Sequence, residues 1–443
     1  MTRITTPHAR TALAVGSLAL GALTLLGCAA PAEHAAHAGQ AAHAATDGGD
    51  SAASTPSTES GHGAVAGAAE VAEPQLHLVT LDSSGAVGLL DLLSGTESRL
   101  GTVASPDRVA SDGRYVFAAN SSGIEVIDSA AWTWDHGDHF HYYRGTPRIL
   151  GEVTGSGIAQ VVGGPLATAG GTGVFFPDSG EAVLLDNAAL ADGSPDERFR
   201  VRGTPHAGFL APLGDGAIVT EADASGRVTR LRVLAADGSP SEITAPCRDA
   251  SGAVTTRVGA VFTCADGAVL GTLDAGSDAD SPAAVTLERI PLPAAAPGTG
   301  QAAPTTLAGR KGRPTVAGVG ADQGFWRLDT RDRSWRWTPS DAPLVHAVAV
   351  DDEADHVVTL DTAGRVRVYA GDREIGASEP LLSAAELAAD ARDALTLTVD
   401  AQRAYLASPS SGTVFEIDFA DRARIARELH PAVAPAFFAE TGR

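Results

Sequence analysis

From about residue 75 to its end the chain repeats one short unit: an apolar strand, a turn rich in Asp, Ser and Gly, and a second apolar strand that closes on aspartate. Residues 76–91 set the pattern, with Asp82, Ser83, Ser84 and Gly85 as the turn. Residues 115–128 and 173–186 repeat it, and further copies begin near Ala217, Ala260, Val319, His356 and Ala404. Short apolar runs alternate with these turns, and the period of two along a strand puts every second side chain into the packing between blades. Helical solenoids lack this alternation.

Matched hairpins at a spacing of roughly 40–50 residues are the signature of a β-propeller, in which each repeat builds one four-stranded blade. The expected fold is therefore all-β, a propeller over residues 75–443 with eight blades, or seven if one degenerate hairpin is misassigned. One helix is expected, over residues 384–393, where an Ala-rich run follows Leu382-Ser383 as a cap.

The N-terminal part reads differently. Arg3 and Arg10 precede an uncharged run from residue 11 to residue 26, too short to span a bilayer, which needs about 20 apolar residues. Residues 1–27 thus read as a secretory signal, and Leu25-Leu26-Gly27-Cys28 is similar to a bacterial lipobox. Cys28 is the expected lipid anchor, holding the exported protein on the outer face of the cytoplasmic membrane. Residues 28–74 are dominated by small and polar residues and read as a disordered tether. The tether carries His34, His37, His43 and His62, which can capture zinc transiently, and His77 lies just beyond it. The two cysteines left, Cys247 and Cys264, are even in number in an oxidising compartment. A disulfide is favoured over two zinc thiolates, because no C-x-x-C pair is present.

The net charge of −22, from 54 acidic against 32 basic residues, argues against nucleic acid and anionic lipid as partners and makes cations the natural ones. A cation site is legible between the second and third hairpins. His136, His139 and His141 fall within six residues, Trp132 and Trp134 alternate as on a strand, and Gly137 marks a turn. His139 and His141 then share one strand face while His136 comes from the turn, so three imidazoles can converge on one ion. Imidazole suits zinc, and a copper site would want Cys or Met ligands that the mature chain hardly has. The fourth ligand is a carboxylate, water or His206, and Asp135 and Asp138 are candidates to hold the outer ring N–H groups.

The segment Asp135-His136-Gly137-Asp138-His139-Phe140-His141-Tyr142-Tyr143-Arg144 closely resembles the signature of the AztD family of exported β-propeller zinc metallochaperones. The surroundings of Cys264 and the ending from Ser408 to Asp418 are similar to that family as well. The resemblance implies that His136, His139 and His141 hold Zn2+, that the solute-binding protein of a zinc ABC importer receives it, and that the His-bearing arm takes part in delivery. It also implies a carrier and not an enzyme. No nucleophile elbow, zinc-protease helix, phosphate loop or dinucleotide fingerprint appears in the sequence. Two other readings compete: a rigid interaction platform without metal, and a hydrolase in which zinc with an open position activates water.

Overall fold

The alternating hairpins become eight antiparallel sheets taken in chain order, the blades of a propeller. The computed structural model describes residues 63–443 apart from 136–138, 275–283, 295–301, 322 and 390. The expected signal peptide, Cys28, the four arm histidines and His136 with Asp138 lie outside the described residues.

Blade 1 shows how the ring closes. Its strands His77–Leu81, Ala86–Asp91 and Glu97–Thr102 are completed on the inner side by the C-terminal strand Phe437–Thr441. The two ends of the domain are thereby joined by backbone pairing, His77 opposite Thr441 and Leu81 opposite Phe437. Blade 2 consists of Arg108–Ser111, Tyr115–Asn120, Gly123–Asp128 and Arg148–Thr154, and blades 3, 4, 5, 7 and 8 are likewise four-stranded. Among the described residues blade 6 has three strands, Thr315–Val319, Gly324–Asp329 and Ser334–Pro339, with a bridge from Ala308 to Ala317 on its inner side.

Period-two alternation is what packs one blade on the next. In Tyr115–Asn120, Tyr115, Phe117 and Ala119 face blade 3, against Val174 and Phe176. The intervening Val116 and Ala118 face blade 1, against Val79 and Val87. Each blade is therefore apolar on both faces, and burial of side chains this size contributes about 1.5–3 kcal/mol apiece. The recurrent aspartates build the turns. Asp82 Oδ1 accepts from the N–H groups of Ser84 and Ala86, and Asp91 Oδ1 from those of Leu93 and Ser94. Gly85 closes its turn at φ +89°, a conformation that costs glycine nothing.

Residues 384–393 do not form the expected α-helix; the segment is a series of turns ending in a 3-10 turn, Arg392–Ala394. The expected cap does form, since Ser383 N and Oγ both donate to the Glu386 carboxylate at 2.7 Å. That carboxylate also accepts from Ser408 Oγ at 2.9 Å and from Ser410 N at 3.1 Å, anchoring the segment to blade 8. Leu387 and Leu395 are buried among Leu397, Leu406 and Ile417. An isolated ten-residue helix is marginal, and these tertiary anchors win over propensity. The α-helix among the described residues is Asn187–Asp192, capped by the Asp186 side chain and stopped by Gly193 at φ +103°. Cys247 and Cys264 are disulfide-bonded, tying the end of blade 4 to blade 5, so neither is a thiolate for zinc.

Candidate metal centre

The histidine segment stands outside the blades, in a ninth sheet. Strands Ala131–Asp135 and Phe140–Arg144 form a hairpin inserted between the third and fourth strands of blade 2. Its register sets Trp134 opposite His141 and Trp132 opposite Tyr143. A third strand, Ala69–Val71, pairs along Phe140–Arg144, with Glu70 opposite Tyr143. The last part of the segment expected to be tether is thus built into the sheet.

Aromatic and charged groups seat the hairpin on the propeller. Trp132 stacks on Tyr143 with ring centroids 5.2 Å apart, and its indole N–H donates to Gly63 O at 3.0 Å. Beneath it the Arg114 guanidinium lies 3.9 Å from the Trp132 ring centroid and is clamped by two hydrogen bonds of 2.8 Å to the Asp128 carboxylate. At the other strand's end, Arg144 lies 3.4 Å from Asp91 Oδ2 and donates to Gln75 Oε1 at 3.3 Å. His77 sits beside this pair, its Nε2 4.0 Å from Asp91 Oδ2. Burial, opposed by Asp91, pushes the His77 imidazole below its ordinary value, so it stays neutral inside blade 1. Asp135, near the turn, forms a 2.7 Å ion pair with Arg257 in the first turn of blade 5, reaching across the propeller face.

His139 and His141 come together as their spacing predicts. Their rings meet edge to face with centroids 4.7 Å apart, and His139 Nε2 is 2.9 Å from His141 Nε2. Behind His141, Nδ1 lies 2.7 Å from Glu70 Oε1. With Nδ1–H given to that carboxylate, His141 Nε2 presents a lone pair, and the His139 Nε2–H donates to it. The two nitrogens therefore face each other across one hydrogen bond. Nitrogens each 2.0–2.1 Å from a tetrahedral ion stand about 3.3 Å apart with both lone pairs aimed at the ion, so replacing the shared proton by an ion asks the rings to separate by about 0.4 Å and to turn from facing each other towards a common point.

The other expected site residues fall differently. His206 is buried away from this pair's hydrogen bonds: Nδ1 lies 2.6 Å from Thr204 O and Nε2 2.9 Å from Thr220 Oγ1, with the ring against Phe175. Asp135 pairs with Arg257, and Glu70, which the sequence reading missed, places a carboxylate on a site imidazole. Among the described residues no group of three or more His, Cys, Asp or Glu side chains converges as a metal cluster. The described part of the site is two imidazoles and the carboxylate behind one of them.

No protein-family model matches the chain. Among solved structures it is similar to AztD from Citrobacter koseri, with a TM-score of 0.69 and 20% identity over 83% of this chain and 98% of that one. The apo form of AztD from Citrobacter koseri gives a TM-score of 0.68 at 20% identity, covering 84% and 98% of the two chains. A putative 6-phosphogluconolactonase from Bacteroides uniformis reaches only 0.44 at 11% identity, over 83% and 100%, too distant to carry an argument. The fold is AztD-like over nearly the whole length of that protein.

Proposed function

We propose that this chain is an extracytoplasmic zinc carrier, which holds Zn2+ on the blade 2 hairpin and hands it to the solute-binding protein of a zinc importer. The observation that carries the reading is the pairing of His139 and His141, their Nε2 atoms 2.9 Å apart, with a carboxylate on His141 Nδ1. The AztD-like fold and the resemblance of residues 135–144 to the AztD signature support it. His136, three residues before His139 in the sequence, is the natural third ligand, and water or a carboxylate completes the set. For His206 to serve as the fourth ligand, its Nε2 has to give up the Thr220 hydroxyl.

Zinc is cargo in this scheme and not a catalyst. A carrier needs ligands that exchange, and neutral imidazoles on a surface hairpin can be replaced stepwise by the acceptor's own without releasing free ion. The arm extends this set: with residues 1–27 removed as a signal and Cys28 acylated, His34, His37, His43 and His62 lie on a tether between the membrane and the hairpin. Two acyl chains or more on that cysteine give firm anchoring where one is marginal.

The test is zinc retained by the full chain after exhaustive dialysis, compared with a His139→Ala/His141→Ala variant. One tightly held equivalent, lost in the variant, is the expected result. Equal zinc in both would move the site elsewhere, and partner binding with no zinc in either would favour the platform reading. Deleting residues 29–62 should slow transfer to an acceptor while leaving equilibrium binding intact; unchanged transfer rates would remove the arm from the mechanism.

A further inference from the structure

We propose that Glu70 is a positioning residue of the zinc site, and that zinc retention is coupled through it to the seating of the Ala69–Val71 strand. This rests on the zinc reading above and deepens it. Glu70 pairs in register with Tyr143, and in an antiparallel ladder opposed residues share a face. His139, His141 and Tyr143 alternate on that face, so the Glu70 carboxylate lies one step along from His141 and reaches its Nδ1 at 2.7 Å.

The consequence is chemical as well as geometric. A neutral imidazole can carry its proton on either nitrogen, and only the Nδ1–H tautomer leaves Nε2 free to bind. Glu70 selects that tautomer and fixes the ring plane towards His139, the usual role of a carboxylate behind a metal-bound histidine.

Glu70 reaches the hairpin only by way of a three-residue strand, and its own side chain is 54% exposed. So short an edge element, with three opposed pairs, belongs to the part of a fold that opens at low cost. This strand is also where the N-terminal arm joins the hairpin. Pulling it away removes the carboxylate from His141 and loosens the ion. By reciprocity, a bound ion holds the strand down.

The experiment uses the full chain and zinc alone, titrated against a competing chelator. Glu70→Ala should weaken zinc binding by roughly 10–100-fold, with the melting temperature of the zinc-free protein unchanged. Glu70→Gln, whose amide oxygen can accept the same N–H, should restore most of the loss, a rescue that a merely structural role for the carboxylate would not give. In parallel, hydrogen exchange at residues 69–71 should slow when zinc is added to the wild type and not when it is added to Glu70→Ala. Equal affinity of Glu70→Ala and wild type, or exchange at 69–71 indifferent to zinc, would overturn the proposal. A wild type that takes up no zinc at all would instead remove the reading on which it rests.

Discussion

Removing the Cys247–Cys264 disulfide tests how the ring of blades is held. The bond closes a loop of 17 residues between the end of blade 4 and the second strand of blade 5. In the chain-entropy account, a loop of that length removes about 10–11 cal/mol/K from the unfolded ensemble, about 3 kcal/mol at 25 °C. Both cysteines are buried beside Phe262 and Val228, so Cys247→Ser/Cys264→Ser would add a polar burial cost; the Ala/Ala pair isolates the cross-link better. With an unfolding entropy of about 2.1 cal/mol/K per residue over roughly 380 residues, the loss converts to a fall of about 4 °C in the melting temperature. Calorimetry of the Ala/Ala variant beside the oxidised wild type reads this directly. A fall below 1 °C would refute the assignment of this bond as a main tie between blades 4 and 5.

Two further perturbations probe the ground beneath the hairpin. Asp128→Asn leaves the buried Arg114 guanidinium without its carboxylate and should cost about 3–5 kcal/mol in denaturant unfolding, with disturbance of Trp132 fluorescence, because that ring rests on Arg114. Glu440 is enclosed at the start of blade 1, where burial, outweighing the Arg443 guanidinium 2.6 Å away, pushes its carboxyl up to about 7. Its folded value lies above its unfolded one, so the fold loses stability as pH rises from about 4.5 to 7, by about 3 kcal/mol in all. Glu440→Gln should therefore be more stable than wild type at pH 8 and equal to it at pH 4, measured by urea unfolding; a gain of the same size at both pH values would contradict the burial argument.

The sequence disclosed the parts of this protein whose causes are local. The hairpin units such as residues 115–128 and their Asp–Gly turns were enough to favour eight blades over seven, because a strand buried on both faces between neighbours must alternate its contacts. The pairing of His139 with His141 was legible for the same reason, as two residues on one strand share a face. What stayed hidden depends on contacts far apart in the chain. Glu70 meets His141 across 71 residues, from an Ala- and Glu-rich stretch whose composition reads as unstructured. Only the pairing of Ala69–Val71 with the hairpin turns that stretch into a strand. Residues 384–393 show the opposite error, where helix propensity was real but Glu386 and Leu387 were claimed by blade 8. The short helix Asn187–Asp192 carries too few residues for a periodic signal, and its cap aspartate is the same residue that closes a strand.

The most direct test of the zinc account is X-ray absorption at the zinc edge, on the full chain loaded with one equivalent. The hairpin site predicts nitrogen and oxygen neighbours at about 2.0–2.1 Å with the outer-shell pattern of imidazole, reduced in His139→Ala/His141→Ala. A first shell containing sulfur at about 2.3 Å, or one without imidazole scattering, would contradict it.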